Sequence, residues 1–197
     1  STNDDVSRVM AMATKKTSDI VLMQCNTNYT GSKENYNFCN LNVLKQFSID
    51  YPNTVLGLSD HTAGHATTLG AITLGARVIE KHFTDDNNQE GPDHGFAMNP
   101  QTWRDMVDRS YELLVSLGDG VKIVEKNEEQ SKLVQRRCLR VATNLKKGHI
   151  LLNSDLISLR PISEGGIEPF EKINLIGKEL LMDIKAGEHL TKKIVKL

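Results

Sequence analysis

The chain predicts an α/β fold, with a parallel sheet and crossover helices followed by a small β-rich domain. Three observations lead there. Across the first 120 residues, short and mainly apolar runs alternate with segments of helical spacing in the order α-β-α-β-α-β-α. Each apolar run ends in a polar cluster, as strands of a parallel sheet do where ligands bind. Beyond Arg136 the pattern changes to short β-like runs broken by Gly and Pro.

Residues 3–16 place Val6, Val9, Met10 and Ala13 at helical spacing, with Thr2 and Asp5 positioned as a capping box. Ile20 to Cys25 has the length and apolar character of a buried strand. A polar loop, 26–35, follows. Residues 36–50 read as a helix that stops before Tyr51-Pro52. Val55 to Leu58 is the second strand, and Ala63 to Ala76, rich in Ala, Gly, Thr and Leu, is a short helix. Gly70 and Gly75 form no phosphate loop and suit close helix–strand packing. Val78 and Ile79 open the third strand, and residues 85–99 form a long polar loop. Asn99 then caps a helix that has Pro100 in its first turn and runs to about Leu117, before Gly118.

Residues 121–135 are charged, with weak periodicity, and read as a linker between a domain at 1–120 and a domain at 136–197. The second domain contains an internal echo. Lys146-Lys147-Gly148-His149-Ile150-Leu151 resembles Lys185-Ala186-Gly187-Glu188-His189-Leu190, and each copy follows an apolar residue, Leu145 or Ile184. A small pseudo-symmetric β domain is expected.

Composition narrows the function classes. Of 197 residues, 39% are hydrophobic and 25% charged, which supports a packed core and argues against disorder. No apolar run approaches the roughly 20 residues that span a bilayer, and the polar, acidic start does not read as a signal peptide. Three widely spaced cysteines, Cys25, Cys39 and Cys138, fit a reducing cytoplasm better than a disulfide framework. The net charge of −1 hides −6 over residues 1–120 and +5 over residues 121–197. Few aromatics are interleaved with the basic residues, so docking of a basic domain on an acidic one is a plainer reading than nucleic-acid binding.

Two histidines carry the chemistry. His61 lies in Ser59-Asp60-His61-Thr62 and His82 in Glu80-Lys81-His82-Phe83-Thr84. They close consecutive strands of one βαβ unit, whose parallel strands end on the same side of the sheet, so both imidazoles face one site. A single strand-end histidine is more often a hydrogen-bonded structural residue. Two of them, one βαβ unit apart, favour a site for a divalent metal such as Mn²⁺, Fe²⁺ or Zn²⁺. Two protein ligands leave positions open for water and a substrate oxygen, giving a Lewis acid that can polarise a carbonyl. His65 reads as structural, His94 is open between roles, and His149 and His189 read as surface residues. The acidic and amide groups of loop 85–99 suit a polyhydroxylated ligand, and its composition fits a solvated loop equally well. The spacing excludes an EF-hand.

Several segments together resemble the bacterial sialic acid synthases, a family that includes N-acetylneuraminate and N,N'-diacetyllegionaminate synthases. They are LMQCNTNYTGS at 22–32, LGLSDHTAGHATTLGAITLGARVIEKHFTDD at 56–86, GPDHGFAMNP at 91–100, RRCLRVATNLKKGHIL at 136–151, LRP at 159–161 and IGKEL at 176–180. The resemblance implies the C-terminal part of a (β/α)₈ TIM barrel, about three strands, followed by an antifreeze-like SAF domain. It implies condensation of phosphoenolpyruvate with an N-acylated amino hexose, N-acetylmannosamine or a diacetylated analogue, to a nonulosonic acid with release of phosphate.

The same resemblance implies that His61 and His82 hold a divalent metal, Mn²⁺ with Mg²⁺ or Co²⁺ as alternatives, that activates the sugar aldehyde. Asp93 matches the acid that holds a sugar hydroxyl beside it. Tyr29, Thr27, Asn28, Ser59 and Phe83 match substrate-contacting positions. Arg160 matches an arginine that reaches the sugar in the partner subunit's site across a domain-swapped homodimer, which gives the charge split a use. The first five barrel strands of the family have no counterpart in these residues, so the resemblance further implies that this chain is not active alone. Two other readings stay open: another metal-dependent barrel aldolase, and a non-catalytic carbohydrate-binding or dimerisation module.

Overall fold

A computed structural model describes residues 1–196. They form two compact units, residues 1–121 and the residues from 122 onward. Among the described residues no helix is long and apolar enough to cross a membrane.

The first unit is built on three parallel strands, β1 (Val21–Cys25), β2 (Val55–Asp60) and β3 (Val78–Lys81), in the spatial order β1-β2-β3. α1 (Asn3–Ala13) precedes β1, α2 (Val43–Asp50) connects β1 to β2, α3 (Ala66–Thr73) connects β2 to β3, and α4 (Pro100–Leu117) follows. Both expected caps are present: Thr2 with Asp5 at the start of α1, and Asn99 with Thr102 at the start of α4. Along each strand alternate side chains point to opposite faces. Leu56 and Leu58 of β2, with Leu22 and Ile79 beside them, pack against Leu44 and Phe47 of α2. On the sheet's other face, Val21, Val55 and Val78 remain exposed.

One expected helix is broken. Residues 36–50 divide into a 3₁₀ segment, Lys33–Phe38, and α2. Side chains from the end of β1 take the carbonyls a continuous helix would use: Asn26 Nδ2 donates to the Phe38 carbonyl (3.1 Å) and Gln24 Nε2 to that of Cys39 (3.0 Å). Asn40 then turns through φ 45°, a left-handed conformation that asparagine tolerates better than most residues.

In the second unit, residues 126–135 contain a 3₁₀ turn, Lys126–Glu128, and a short exposed helix, α5 (Glu129–Gln135). β4 (Cys138–Val141) and β5 (Leu156–Leu159) pair antiparallel, and α6 (Lys172–Leu175) follows. The echoed segments pair with each other. Leu145 and Ile184 exchange both backbone hydrogen bonds, at 2.9 Å each. Gly148 N–H donates to the Leu180 carbonyl and Gly187 N–H to that of Val141. Even the side-chain caps correspond: Asp183 Oδ1 accepts from Lys147 N–H and Asn144 Oδ1 from Ala186 N–H. A constant shift along the chain relates every one of these pairs, so the unit has a pseudo-twofold axis. Leu151 and Leu190 occupy equivalent places in a shared core with Leu139 and Leu180, and all four are fully buried.

Candidate functional site

The site begins where the β2–β3 ladder stops. Its last register pair is Asp60 with Lys81, and each strand continues one residue further to a histidine. The two rings lie 5.1 Å apart between centroids, at 78° to one another. His61 is buried and His82 partly exposed.

Each imidazole has an oxygen beside its Nδ1. That of His61 donates to the Asn26 carbonyl at 2.8 Å. That of His82 lies 3.2 Å from Oδ2 of Asp93. With Nδ1–H of His61 bonded to the Asn26 carbonyl, Nε2 of that ring is the lone-pair nitrogen, the arrangement found at ligating histidines, while the Asp93 carboxylate stands beside Nδ1 of His82. Among the described residues no cluster of three His, Cys, Asp or Glu residues is assembled. The two imidazoles are the candidate donors for a metal, and two such donors would leave coordination positions open. Such a set fits a borderline divalent ion with exchangeable oxygen ligands.

Three segments converge on the rings. The Tyr29 ring stacks at a tilt on His61, with centroids 4.1 Å apart, and meets His82 edge-on at 5.5 Å. The loop after β3 returns because Met98 N–H donates to the His82 carbonyl (2.8 Å) and Thr84 N–H to that of Met98 (2.9 Å). Asn87 Nδ2 holds the loop closed through the carbonyls of His94 and Ala97, both at 2.8 Å. That closure sets Asp93 beside His82 and the buried Phe96 ring 5.2 Å from it.

The remaining expected residues fall in different places. Asn28 and Ser59 line a small cleft with His61, and Ser59 Oγ donates to Glu80 Oε2 at 2.7 Å. Thr27 is exposed in the same loop. Phe83 turns away from the rings, as strand alternation requires, and packs edge-on against Trp103 at 5.9 Å. His65 precedes α3, with Nδ1 3.6 Å from Asp105 Oδ2, and His94 Nδ1 lies 2.8 Å from the Thr84 hydroxyl. In the second unit, Arg160 is exposed directly after β5. Arg140 secures the segment that follows it, donating to the Pro161 carbonyl (3.0 Å) and Ser163 Oγ (3.2 Å).

Sequence reasoning missed the supports: the Asn26 carbonyl, Phe96, and the buried pair of Asp60 and Lys81 with its 2.6 Å contact. A charged pair flanking two histidines was visible in the sequence. That the two charges face each other follows only from strand register.

Comparison with known proteins completes the picture. Residues 1–122 match the NeuB family. The chain belongs to that family. Residues 136–195 match the SAF domain, so the NeuB unit is followed by an antifreeze-like β unit, as the resemblance implied. Among curated relatives, an N,N'-diacetyllegionaminic acid synthase of Legionella pneumophila is 36% identical over 87% of this chain and 46% of its own length. A pseudaminic acid synthase of Campylobacter jejuni is 32% identical over 89% of this chain and 49% of its own. The chain thus spans about half the length of these relatives. Among solved structures, the spore coat polysaccharide biosynthesis protein SpsE of Bacillus subtilis superposes with a TM-score of 0.52 at 25% identity, over 99% of this chain and 58% of that one. An N-acetylneuraminic acid synthetase of Leptospira borgpetersenii shares the fold, with a TM-score of 0.59 at 24% identity over 66% of this chain and 45% of that one.

Proposed function

We propose that this NeuB-family chain supplies the metal- and sugar-binding half of a nonulosonic acid synthase. That enzyme condenses phosphoenolpyruvate with an N-acylated amino hexose and releases phosphate. The observation that carries the reading is the pair of imidazoles, with ring centroids 5.1 Å apart, at the carboxyl ends of two adjacent parallel strands.

His61 and His82 would hold a divalent ion, Mn²⁺ first and Mg²⁺ or Co²⁺ as alternatives. When bound, the ion supplies Lewis acidity toward the aldehyde of the open-chain sugar. The Asn26 carbonyl keeps His61 in the ligating tautomer, and Asp93 stands beside the His82 ring. The outer carboxylate edge of Asp93, which is partly exposed, is available to accept a hydrogen bond from a sugar hydroxyl. Tyr29 covers both rings and excludes water from one side of the site. Asn28 and Ser59 offer amide and hydroxyl groups for the phosphate or carboxylate of phosphoenolpyruvate. Arg160 is assigned to the N-acyl sugar in the partner subunit's site of a homodimer. The three cysteines are free, which supports a reducing, cytoplasmic setting.

The exposed valines on the sheet's second face support the view that further strands complete the site, so the chain alone is not expected to turn over. The test is metal-dependent phosphate release from phosphoenolpyruvate with N-acetylmannosamine or a diacetylated analogue. It is run with the 197-residue chain alone and with the chain fused to a half-barrel that supplies the missing strands. Release by the fusion with one of these sugars is expected. Its absence with every N-acyl amino hexose rejects the reading.

A further inference from the structure

We propose that the buried Asp60–Lys81 pair is a clamp that sets the spacing and orientation of His61 and His82. The histidines lie just past the last register pair of the β2–β3 ladder, so no backbone ladder between the two strands fixes their separation. The side chains of Asp60 and Lys81 take over that task. Lys81 Nζ donates to Asp60 Oδ2 at 2.6 Å and to the Thr62 carbonyl at 2.7 Å. Asp60 Oδ1 accepts from Thr62 N–H (3.0 Å) and Thr62 Oγ1 (2.8 Å), and Oδ2 accepts from Thr67 Oγ1.

The backbone is thereby held on both sides of His61, at residues 60 and 62, by one lysine whose own backbone runs directly into His82. Hydroxyls and the Thr62 amide satisfy the carboxylate further, and the network is buried. The two charged side chains are 1% and 2% exposed.

Stability alone does not account for such a pair, because desolvating two charges offsets most of their attraction and neutral replacements are often as stable. Geometry does account for it: short, charge-assisted bonds between fixed backbones tolerate little displacement. Asp60 and Lys81 are therefore positioning residues that act through the histidines. The value of the clamp to function rests on the reading of those histidines as metal ligands, whereas its effect on the rings does not.

The test compares the wild-type 197-residue chain with a double variant, Asp60→Asn with Lys81→Met. This variant keeps an acceptor for Thr62 and leaves no lone buried charge. Imidazole NMR reads the two rings directly, and Mn²⁺ titration reads metal affinity. We expect His61–His82 inter-ring NOEs in the wild type and their loss in the variant. The thermal midpoint should stay within about 4 °C, and Mn²⁺ affinity should fall at least about tenfold. Unchanged inter-ring NOEs overturn the clamp whatever the metal does. A variant that no longer folds overturns it too, by assigning the pair to the fold. A wild type that shows the NOEs but binds no Mn²⁺ leaves the clamp standing and rejects the metal reading instead.

Discussion

Oδ2 of Asp93 lies 3.2 Å from Nδ1 of His82, and this contact ties a loop residue to the orientation of a strand-end imidazole. In the proposed metal site Asp93 would support the His82 ligand from outside the coordination sphere. Replacing Asp93 with alanine should lower Mn²⁺ affinity about 10- to 100-fold while the fold persists. Isothermal titration of the 197-residue chain measures it, and equal affinity in both proteins would remove Asp93 from the site.

The two histidines should not be equivalent to their neighbours in sequence. His61→Ala and His82→Ala should each eliminate specific Mn²⁺ binding, whereas His65→Ala, beside Asp105, should leave it within about twofold, as expected of a surface substitution. Electron paramagnetic resonance of free Mn²⁺ gives the bound fraction. Retained binding in both strand-end variants would refute the assignment.

The pseudo-twofold axis of the SAF unit makes a quantitative demand. Leu151 and Leu190 are fully buried in equivalent places, so Leu151→Ala and Leu190→Ala should each destabilise that unit by about 2–5 kcal/mol, and by similar amounts. Gly148 and Gly187 sit at φ 85° and 83°, and a Cβ at either meets almost nothing. Alanine there costs only left-handed backbone strain, about 1–2 kcal/mol, again alike in the two turns. Urea melts of the four variants decide the matter. A large difference within either pair would show that the two halves do not share the load.

Acid should act on the SAF unit through Asp155. Burial by itself raises its carboxyl, but the hydrogen bond from His149 at 2.7 Å, the Leu152 N–H and the charge of His149 outweigh burial and hold it below its ordinary value. A carboxyl depressed in the folded state contributes stability above its unfolded value, near 3.9. That contribution is lost as pH falls from there through the folded value. Asp155→Asn should therefore cost about 1–2 kcal/mol at neutral pH, with the difference from wild type shrinking steadily below about pH 4. Denaturation curves at several pH values check it. A constant difference down to the lowest pH would show that the Asp155 carboxyl binds protons equally well in the folded and unfolded states, and so is not depressed by its neighbours.

Local signals in the sequence were enough for several element ends. The Thr2–Asp5 and Asn99–Thr102 boxes, Pro100, and the break at Gly118 act over three or four residues, so they are legible without the fold. The same holds for the paired turns around Gly148 and Gly187. The two histidines were legible because one βαβ unit dictates that both strand ends face the same way. Tertiary structure decided what depends on partners distant in the chain. Asn26 and Gln24 break the helix expected at 36–50 by taking its carbonyls. Strand alternation turns Phe83 toward Trp103. Loop closure through Asn87 brings Asp93 and Phe96 to His82. Ladder register sets Asp60 against Lys81. The sequence alone, then, singled out the candidate residues, because residue type and short-range spacing are local properties. The structure alone decided how those residues are held, because a hydrogen bond between positions far apart in the chain exists only after the strands have chosen their register.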